Sequence, residues 1–599
     1  MPRSVRVLAV AAMALCWACA GCLPEGSSLK TAEEPRPIPP DVIGTIGEYA
    51  NVVGGGSLLL DGHGLVVGLG KDGSAEVPPR LRKYLVEYML KKKVGSPLGG
   101  GRGVTPSQII ADKDTAVVRL LGVVPPGAPK GWTFDVQVRA LSRTGTRSLD
   151  GGRIYAFPMH LASGEGVPPS SGARAWGQAE GTVFINPFLD PRKPSDVPRF
   201  REGRLIGGGT VLRSRPLRLI LREPDYLRCN SIQRRINQRF GQPRRIANAK
   251  NPSTIELNIP PEYHRDYDHF LELVAHLPLQ SQPGQWEARA REIARQMTRP
   301  GANHHGLALV WEAMGRQVTD VCRTLYASKN PAAAFHAART GLRLKDEMAG
   351  DVVIRLATTV GSPFQVPAIE ELSRAVWLLR SVPTLRRLVD DDNSLVRVAA
   401  YEALTKLGDA SLITRVDVGG AFSLDLVKSR KAYVIYAAQS RERKLVLFGR
   451  DMTVNQRVFL DMPSGLVTMA NRLVDVDETG EVVDLSRLSP EERARKKTTQ
   501  APRLMVFRSI PGTRTISAPL YTSFLVRELI QGLGGRARVG LQQQAKGLQL
   551  TYGQVVAVLY RMCEVEKDIP AEFVLQRPLG TGRLYRDVPT VGRPDMPGQ

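Results

Sequence analysis

Cysteine is scarce in this chain of 599 residues, which contains six in all. Half of them lie within the first 22 residues, at Cys16, Cys19 and Cys22. The others are too far apart along the chain for the paired spacings of zinc or iron–sulfur motifs: Cys229, Cys322 and Cys563. Their separations leave open whether two of them form a disulfide, and which two.

Long apolar runs are also missing, apart from one at the amino terminus. Residues 7–21 follow two arginines and are shorter than the roughly 20 residues that a membrane-spanning helix needs. A basic start, a short apolar stretch and small residues at its end are typical of an export signal. Ala20, Gly21 and Cys22 resemble a bacterial lipobox, so we predict a lipid on the thiol of Cys22. A cleaved soluble form and an uncleaved anchor are the alternatives.

Acidic residues are in the minority: 58 aspartates and glutamates stand against 82 lysines and arginines, for a formal net charge of +24. This charge favours an anionic partner. Because the chain carries an export signal, we exclude nucleic acid and expect cell-wall peptides, lipid headgroups or a neighbouring subunit. A predicted strand, 210–222, and the helix after it carry a candidate basic contact face: Arg213, Arg215, Arg218, Arg222, Arg234 and Arg235. An ordinary solvated surface is the alternative.

Composition and periodicity divide the chain into eight segments. They are a signal peptide (1–21), a tether (22–41), a β-rich domain (42–200), an α+β module (205–280), a helical segment (283–414), a second β-rich segment (416–520), a carboxy-terminal helix and strand (521–578) and a loose tail (579–599). Strands and helices alternate within the module, and one clear helix, 81–90, interrupts the first β-rich domain. We therefore predict a multidomain α+β fold.

The helical segment contains one stretch, 384–409, with the pattern of a HEAT hairpin. Leu385 and Leu388 form one apolar stripe, and a second stripe follows the turn: Val396, Ala399, Ala400, Ala403, Leu404 and Leu407. Gly408 ends the second helix. A lone repeat cannot bury its own faces, so we expect degenerate neighbours over 306–380 in a short stack. An ordinary helical bundle is the alternative.

Catalytic motifs are missing as well, since the sequence has no Gly-x-Ser-x-Gly elbow and no His-Glu-x-x-His pair. The glycine-rich stretch 61–73 lacks the Gly-Lys-Ser or Gly-Lys-Thr ending of a phosphate loop. We interpret its glycines as structural, permitting positive φ and close backbone approach: Gly62, Gly64, Gly68 and Gly70. The sequence predicts neither an enzyme nor a cofactor.

Two clusters contain residue types that bind metals. The first opens a predicted helix, where acids cap exposed amides and suit the helix dipole, so we favour a solvated helix start: His264, Asp266, Asp268 and His269. The second is the adjacent pair His304 and His305, whose side chains point about 100° apart on a helix. We predict no metal at either place.

The stretch DGHGLVVGLGKDG (61–73) resembles the signature of flagellar P-ring proteins, G-Y-G-L-V-V-G-L-x-G-T-G-D, with His63 in place of the tyrosine. VVPPGAPKGWTFDVQVRAL (123–141) and SLDGGRIYAFPM (148–159) resemble the family's next two segments, in the same order. Residues 550–576 resemble its closing helix, loop and strand, the strand being matched by Ala571, Glu572 and Phe573. The helical segment then looks like an insertion into the P-ring fold.

The resemblance implies a structural subunit that assembles with its own copies into a periplasmic ring around the flagellar rod, among other basal-body proteins, and supports motility. Peptidoglycan or the outer-membrane surface would lie beside it. The lipid on Cys22 would anchor it to the outer membrane, because Leu23 is not an aspartate. The alternative function is a non-flagellar periplasmic lipoprotein scaffold whose HEAT-like module binds an envelope partner. The sequence leaves the role of 416–520 open.

Overall fold

The computed structural model describes residues 42–576 with short gaps. The gaps are 54–56, 95–103, 162–172, 215–216, 242–243, 265, 280–283, 441, 463–465, 486–487, 510–515 and 537–545. The predicted signal peptide, the tether with Cys22, the residue Arg215 and the predicted loose tail therefore lie outside the described residues. The described chain starts with a short helix, α1 (Ile46–Tyr49), and a strand, β1 (Ala50–Val53).

Six antiparallel strands close into a barrel in the order β2-β3-β4-β7-β6-β5. They are β2 (Leu58–Val67), β3 (Thr115–Val124), β4 (Thr133–Ala140), β5 (Arg153–Leu161), β6 (Gly177–Thr182) and β7 (Glu202–Val211). Helices α2 (Pro79–Lys91) and α3 (Pro106–Ile110) contribute apolar side chains to the same core. The helix predicted at 81–90 is confirmed, and its residues Leu81, Leu85 and Met89 are buried. The last barrel strand, β7, lies beyond residue 200.

A second, four-stranded sheet combines β1 with β8 (Leu217–Leu221), β10 (Thr254–Leu257) and β9 (Ala247–Asn251), in that order. Helices α4 (Tyr226–Phe240) and α5 (Tyr267–Ala275) cover one of its faces. The prediction of one strand over 210–222 is wrong, because β7 belongs to the barrel and β8 to this sheet.

Eight helices follow: α6 (Gln285–Met297), α7 (His304–Met314), α8 (Thr319–Arg323), α9 (Pro331–Arg343), α10 (Glu347–Thr358), α11 (Gln365–Leu372), α12 (Val382–Leu388) and α13 (Ser394–Leu407). Small side chains let them approach closely, since Ala333, Ala337 and Ala338 of α9 are fully buried. Leu309 and Ala313 of α7 pack into the core of the second sheet, so the helices and that sheet share a continuous apolar contact.

Helices α12 and α13 form the predicted hairpin. The side chain of Asn393 caps α13 by accepting a hydrogen bond from the amide of Leu395, and Gly408 ends the helix with φ +77°. The far side of α13 is also buried: the guanidinium of Arg397 donates to the carbonyl oxygens of Val389 and Ala432 at 3.1 and 2.7 Å. This hairpin therefore lies between its neighbouring helices and a sheet.

That third sheet has five strands in the order β11-β12-β14-β13-β19. They are β11 (Ile413–Val418), β12 (Phe422–Val427), β14 (Lys444–Phe448), β13 (Tyr433–Ala437) and β19 (Ala571–Leu575). Strand β19, from the segment that resembles the P-ring closing motif, pairs in parallel with β13. Residues 413–448 therefore fold together with the carboxy-terminal segment.

A fourth sheet has the order β15-β16-β17-β18, formed by β15 (Phe459–Asp461), β16 (Val467–Val476), β17 (Thr499–Arg508) and β18 (Leu520–Thr522). A short helix, α14 (Pro490–Arg495), lies between its two long strands. Helices α15 (Val526–Gly534) and α16 (Tyr552–Tyr560) share one core with this sheet, the third sheet, Ile206 of β7 and Phe184, which follows β6. The predicted multidomain α+β fold is confirmed. Among the described residues, no helix is both long and apolar enough to span a membrane.

Candidate functional site

The glycines of 61–73 shape the barrel strand β2 and the turn after it. A Cβ on Gly62 would lie 2.7 Å from the carbonyl oxygen of Pro158, and one on Gly64 would lie 3.1 Å from Leu120. Gly68 and Gly70 adopt φ of +83° and +64°, and their amides donate to the carboxylate of Asp114 at 3.2 and 2.6 Å. Because Asp114 occupies both amides, the turn holds a carboxylate of its own chain where a phosphate loop would hold a phosphate.

Five arginines of the predicted basic face are described, and they lie in different environments; Arg215 is outside the described residues. Arg213 is in the exposed connection between β7 and β8, and Arg218 lies on the solvent-exposed face of the second sheet. Arg222 follows β8 and donates to the side chain of Asn51 at 3.2 Å. On α4, Arg234 is exposed, whereas Arg235 donates to the carbonyl oxygen of Pro278 at 3.2 Å and lies 4.3 Å from the ring of Trp286. The prediction that four of them follow one strand is wrong.

The most concentrated set of charges lies at the junction between α5 and the helices α7, α9 and α11. We name it the junction network: His269, Glu312, Arg339, Arg343, Glu371 and Arg374. Arg343 lies at its centre and donates two hydrogen bonds to Glu371, at 2.8 and 2.9 Å. Its Nη1 is also 3.4 Å from Glu312, which in turn is 2.6 Å from the Nε2 of His269.

The network is buried at its centre, although Arg374 is 50 % exposed, and its charges are paired. The side chains of Arg343, Glu312 and Glu371 are 11, 8 and 8 % exposed. Burial alone would raise the pKa of Glu371, but the charges of Arg343 and Arg339 outweigh it and lower the pKa to about 2. Burial likewise opposes ionisation of Glu312, whose pKa is lowered by Arg343 and His269. The ion pairs thus fix the position of the helices relative to α5.

Histidines extend the junction outward. The ring of His336, on α9, stacks on His304 with 5.9 Å between centroids and meets His305 edge-on at 6.4 Å. Burial, and then the charge of Arg339, lowers the pKa of His336 to about 4. Within the described part of the chain, the Nδ1 of His336 has no hydrogen-bond partner.

The two clusters considered as metal ligands have separate partners. His264 and His269 bond to Ile259 and Glu312, and Asp266 lies 3.6 Å from Arg374. Asp266 occupies the N-cap position of α5 without a capping side-chain bond, and Asp268 is exposed in the first turn. The acids therefore open the helix as expected, whereas the capping bond is absent and His269 is buried. His304 reaches the carbonyl oxygen of Met297. Over the described ranges, no three His, Cys, Asp or Glu side chains are grouped as a metal site would require.

The three cysteines of the body are buried and free: Cys229, Cys322 and Cys563. Burial raises the pKa of Cys322 and Cys563, the latter to about 12, so both thiols stay protonated. The disulfide that the sequence left open is not formed in this structure.

Sequence reasoning missed the junction network, although one signal for it was present. Glu312 is the only acid in the apolar helix HHGLALVWEAM, and a buried carboxylate needs a cation. Arg339 and Arg343 are spaced four residues apart on the alanine-rich α9, where they share one face. Together these residues indicated a buried ion pair, but not which helices it would join.

Known proteins match this chain over the region that contains the barrel and the second sheet. Residues 45–288 match the family model described as FlgI, flagellar P-ring protein. The flagellar P-ring protein of Anaeromyxobacter dehalogenans is 27 % identical over 352 residues, which cover 56 % of this chain and 85 % of that protein. The flagellar P-ring protein of Thermotoga maritima is 30 % identical over 234 residues, covering 37 % of this chain and 62 % of the relative.

Proposed function

We propose that the chain is a member of the flagellar P-ring protein family, whose members are structural basal-body components, and that it forms a ring in the periplasm that supports rotation of the flagellar rod. The observation that carries the proposal is the family match over 45–288, which includes every strand of the barrel and of the second sheet. A closed barrel has no free edge strand, so it suits a rigid element of such a ring.

A mechanical rather than catalytic role is supported by how the charged side chains are used. The buried carboxylates and guanidinium groups of the junction are paired with one another, as are Asp425 with Arg415 (2.8 Å) and Asp346 with Arg323 (2.9 Å). Such pairs hold packed elements in fixed positions. The helices from α6 to α13 add a rigid block to the family core, because the junction network joins them to α5.

Deleting the gene should abolish swimming, and an antibody against the chain should label a ring at the cell-wall level of purified basal bodies. A strain with the gene restored should swim again, which controls for damage elsewhere. Swimming of the deletion strain, together with unlabelled basal bodies and protein elsewhere in the envelope, would overturn the assignment. That outcome would favour the non-flagellar scaffold, with α6–α13 as its binding module.

We also propose that a lipid on Cys22 anchors the ring subunit to the outer membrane. The lipobox-like residues Ala20, Gly21 and Cys22 support this. The tether also leads directly into the folded chain, whose described part starts at residue 42. The backbone is fixed there: the amide of Ile46 donates to the carbonyl oxygen of Leu277 at 3.0 Å, and Ile46 is fully buried. Fully extended, the tether would reach roughly 65 Å from that point.

Changing Cys22→Ala should remove the lipid, since only the thiol of that residue can carry it. In cells fed a labelled fatty acid, we expect the wild-type chain to be labelled and to sediment with membranes, and the variant to be neither. Cys19→Ala, three residues earlier, is the matched control and should keep both properties. Labelling of the Cys22→Ala variant would contradict the proposal.

A further inference from the structure

The fourth sheet, β15–β18, has one buried and one open face. Directly paired residues form a row on the buried face, and each is at most 4 % exposed: Leu460, Met469, Val506 and Leu520. One residue along, the corresponding row on the other face is Phe459, Ala470, Met505 and Tyr521. None of these four belongs to a hydrophobic core of the described chain, and Phe459 is 68 % exposed.

Two residues along the strands from the apolar row, the same face carries a pair of like charges. Arg472 and Arg503 are directly opposite each other on β16 and β17, on the same face as Ala470 and Met505. Like charges in direct cross-strand register destabilise a sheet unless an anion lies between them. Arg503 donates to the carbonyl oxygen of Gly480 at 3.2 Å, while Arg472 has no ion pair within the described residues. We name Phe459, Ala470, Met505, Tyr521 and the two arginines the open face.

A surface with the complementary chemistry lies on the second sheet, between β8 and α4. Tyr226 and Leu227 are 66 and 81 % exposed there, although both are large and apolar. Glu223 and Asp225 come just before them, and Glu223 has no ion pair among the described residues. Asp225 caps α4 by accepting from the amides of Leu227 and Arg228 at 2.8 and 3.1 Å, which makes this segment rigid. We name residues 223–227 the acidic knob.

We infer that the acidic knob of one copy docks on the open face of the next copy. Tyr226 and Leu227 would cover the row that contains Phe459 and Tyr521, and Glu223 would lie at the arginine pair. The inference rests on the proposed ring function, and it names the contact between subunits. The knob and the face belong to different sheets with separate cores, so the contact is head to tail and can repeat from copy to copy.

The size of the open face sets the expected strength of the contact. Four strands spaced by about 4.8 Å span about 14 Å, and the two residues from the apolar row to the arginine pair add about 7 Å along the strands. The open face therefore covers roughly 100 Å², far less than the roughly 800 Å² per partner of a stable pair. A single knob on a single face should therefore dissociate readily. Closure of a ring makes the last contact intramolecular, so each subunit is then held by two contacts and the assembly is strengthened.

Engineered cysteines test this contact in the full chain. In assembled protein, Leu227→Cys combined with Phe459→Cys should cross-link under mild oxidation into a ladder that extends beyond the dimer. Each single variant should stay monomeric on a denaturing gel, because the three body cysteines are buried. Rings seen by electron microscopy without a ladder would overturn the contact alone. Failure of the wild-type chain to form any ring would instead contradict the proposed function.

A charge exchange tests the same contact independently of cysteine geometry. We expect Arg472→Glu, made in the double-cysteine chain, to lower the ladder yield at least tenfold, because it places a carboxylate opposite Glu223. Adding Glu223→Arg should restore the yield. Both residues are exposed, so the thermal unfolding midpoint should not move and serves as the folding control. A ladder that persists in Arg472→Glu, or an exchange that fails to restore it, would contradict the proposal.

Discussion

The Arg343→Met variant should lose about 3–5 kcal/mol of stability in its helical region, because the buried carboxylates Glu312 and Glu371 lose the cation between them. Methionine preserves most of the side-chain length, so the main change is the missing charge. Trp311 is fully buried next to Glu312, and in a chain whose other tryptophans are changed to phenylalanine its fluorescence reports the unfolding of this region in urea. We expect the midpoint of that transition to fall well below that of the wild type.

The same substitution on an exposed helix is the matched control. Arg291 of α6 pairs with Glu287 one turn earlier, and both side chains are more than 60 % exposed. Arg291→Met should therefore cost less than about 0.5 kcal/mol. A double variant, Arg343→Met with Glu312→Gln, should recover part of the loss, because Glu312 is then no longer an unpaired charge and Glu371 keeps its pairs with Arg339 and Arg374. If Arg343→Met behaves like Arg291→Met, the junction network does not stabilise the helices.

Local sequence patterns predicted the elements whose partners are close along the chain. The hairpin at 384–409 was predictable because the apolar stripes of Leu385 and Leu404, and the cap residues that bound the second helix, all lie within one short stretch. The helix containing Leu81 and Leu85 was predictable for the same reason. In both cases the period of the apolar residues decides the structure, and no distant residue changes it.

Pairing between distant strands was not predictable. Strand β1 pairs with β8, with Asn51 opposite Ile220, and β13 pairs with β19, with Ile435 opposite Phe573. A period-2 pattern assigns each residue to a face but does not select the neighbouring strand. The single strand predicted over 210–222 failed for a related reason: periodicity did not show that the chain leaves the barrel between β7 and β8, which separates Arg213 from Arg218.

The candidate sites also differ in whether their residues are close together or far apart along the chain. The positive φ of Gly68 and Gly70 follows from a turn within a few residues, whereas the junction network needs α5, α7, α9 and α11 to meet. Likewise, the open face is apolar only because β15 to β18 align Phe459, Met505 and Tyr521 in one row. For sites built from distant parts of the chain, the sequence shows which residue types are present but not which of them become neighbours.

Stability of the helical region should also fall as the pH falls from about 6.5 to about 4, and His336 is the reason. Its pKa in the folded chain is lowered to about 4 from an ordinary value of 6.5, so the unfolded chain binds more protons in this interval. The corresponding stability is fully present above pH 6.5 and is lost as the pH falls toward 4. A change in pKa from 6.5 to about 4 corresponds to a loss of at most about 3.4 kcal/mol.

The groups that face His336 separate this effect from acid unfolding of the carboxylates. His304, His305, Arg339 and Glu371 surround it. The pKa of Glu371 is lowered to about 2, so its contribution is present above about pH 4.5 and is lost only below that value. The two groups therefore act in adjoining intervals of pH, and a loss of stability above pH 5 cannot come from Glu371.

Removing the titrating ring tests the assignment. In His336→Leu, the urea midpoint followed by Trp311 fluorescence should change much less between about pH 7 and pH 5 than it does in the wild type. At about pH 7.5 the wild-type ring is neutral, so a comparison there gives the cost of the lost packing alone. An unchanged pH dependence in His336→Leu would show that protonation elsewhere destabilises the junction. A flattened one would establish His336 as the group that makes the helices acid-sensitive while Arg343 still holds them to α5.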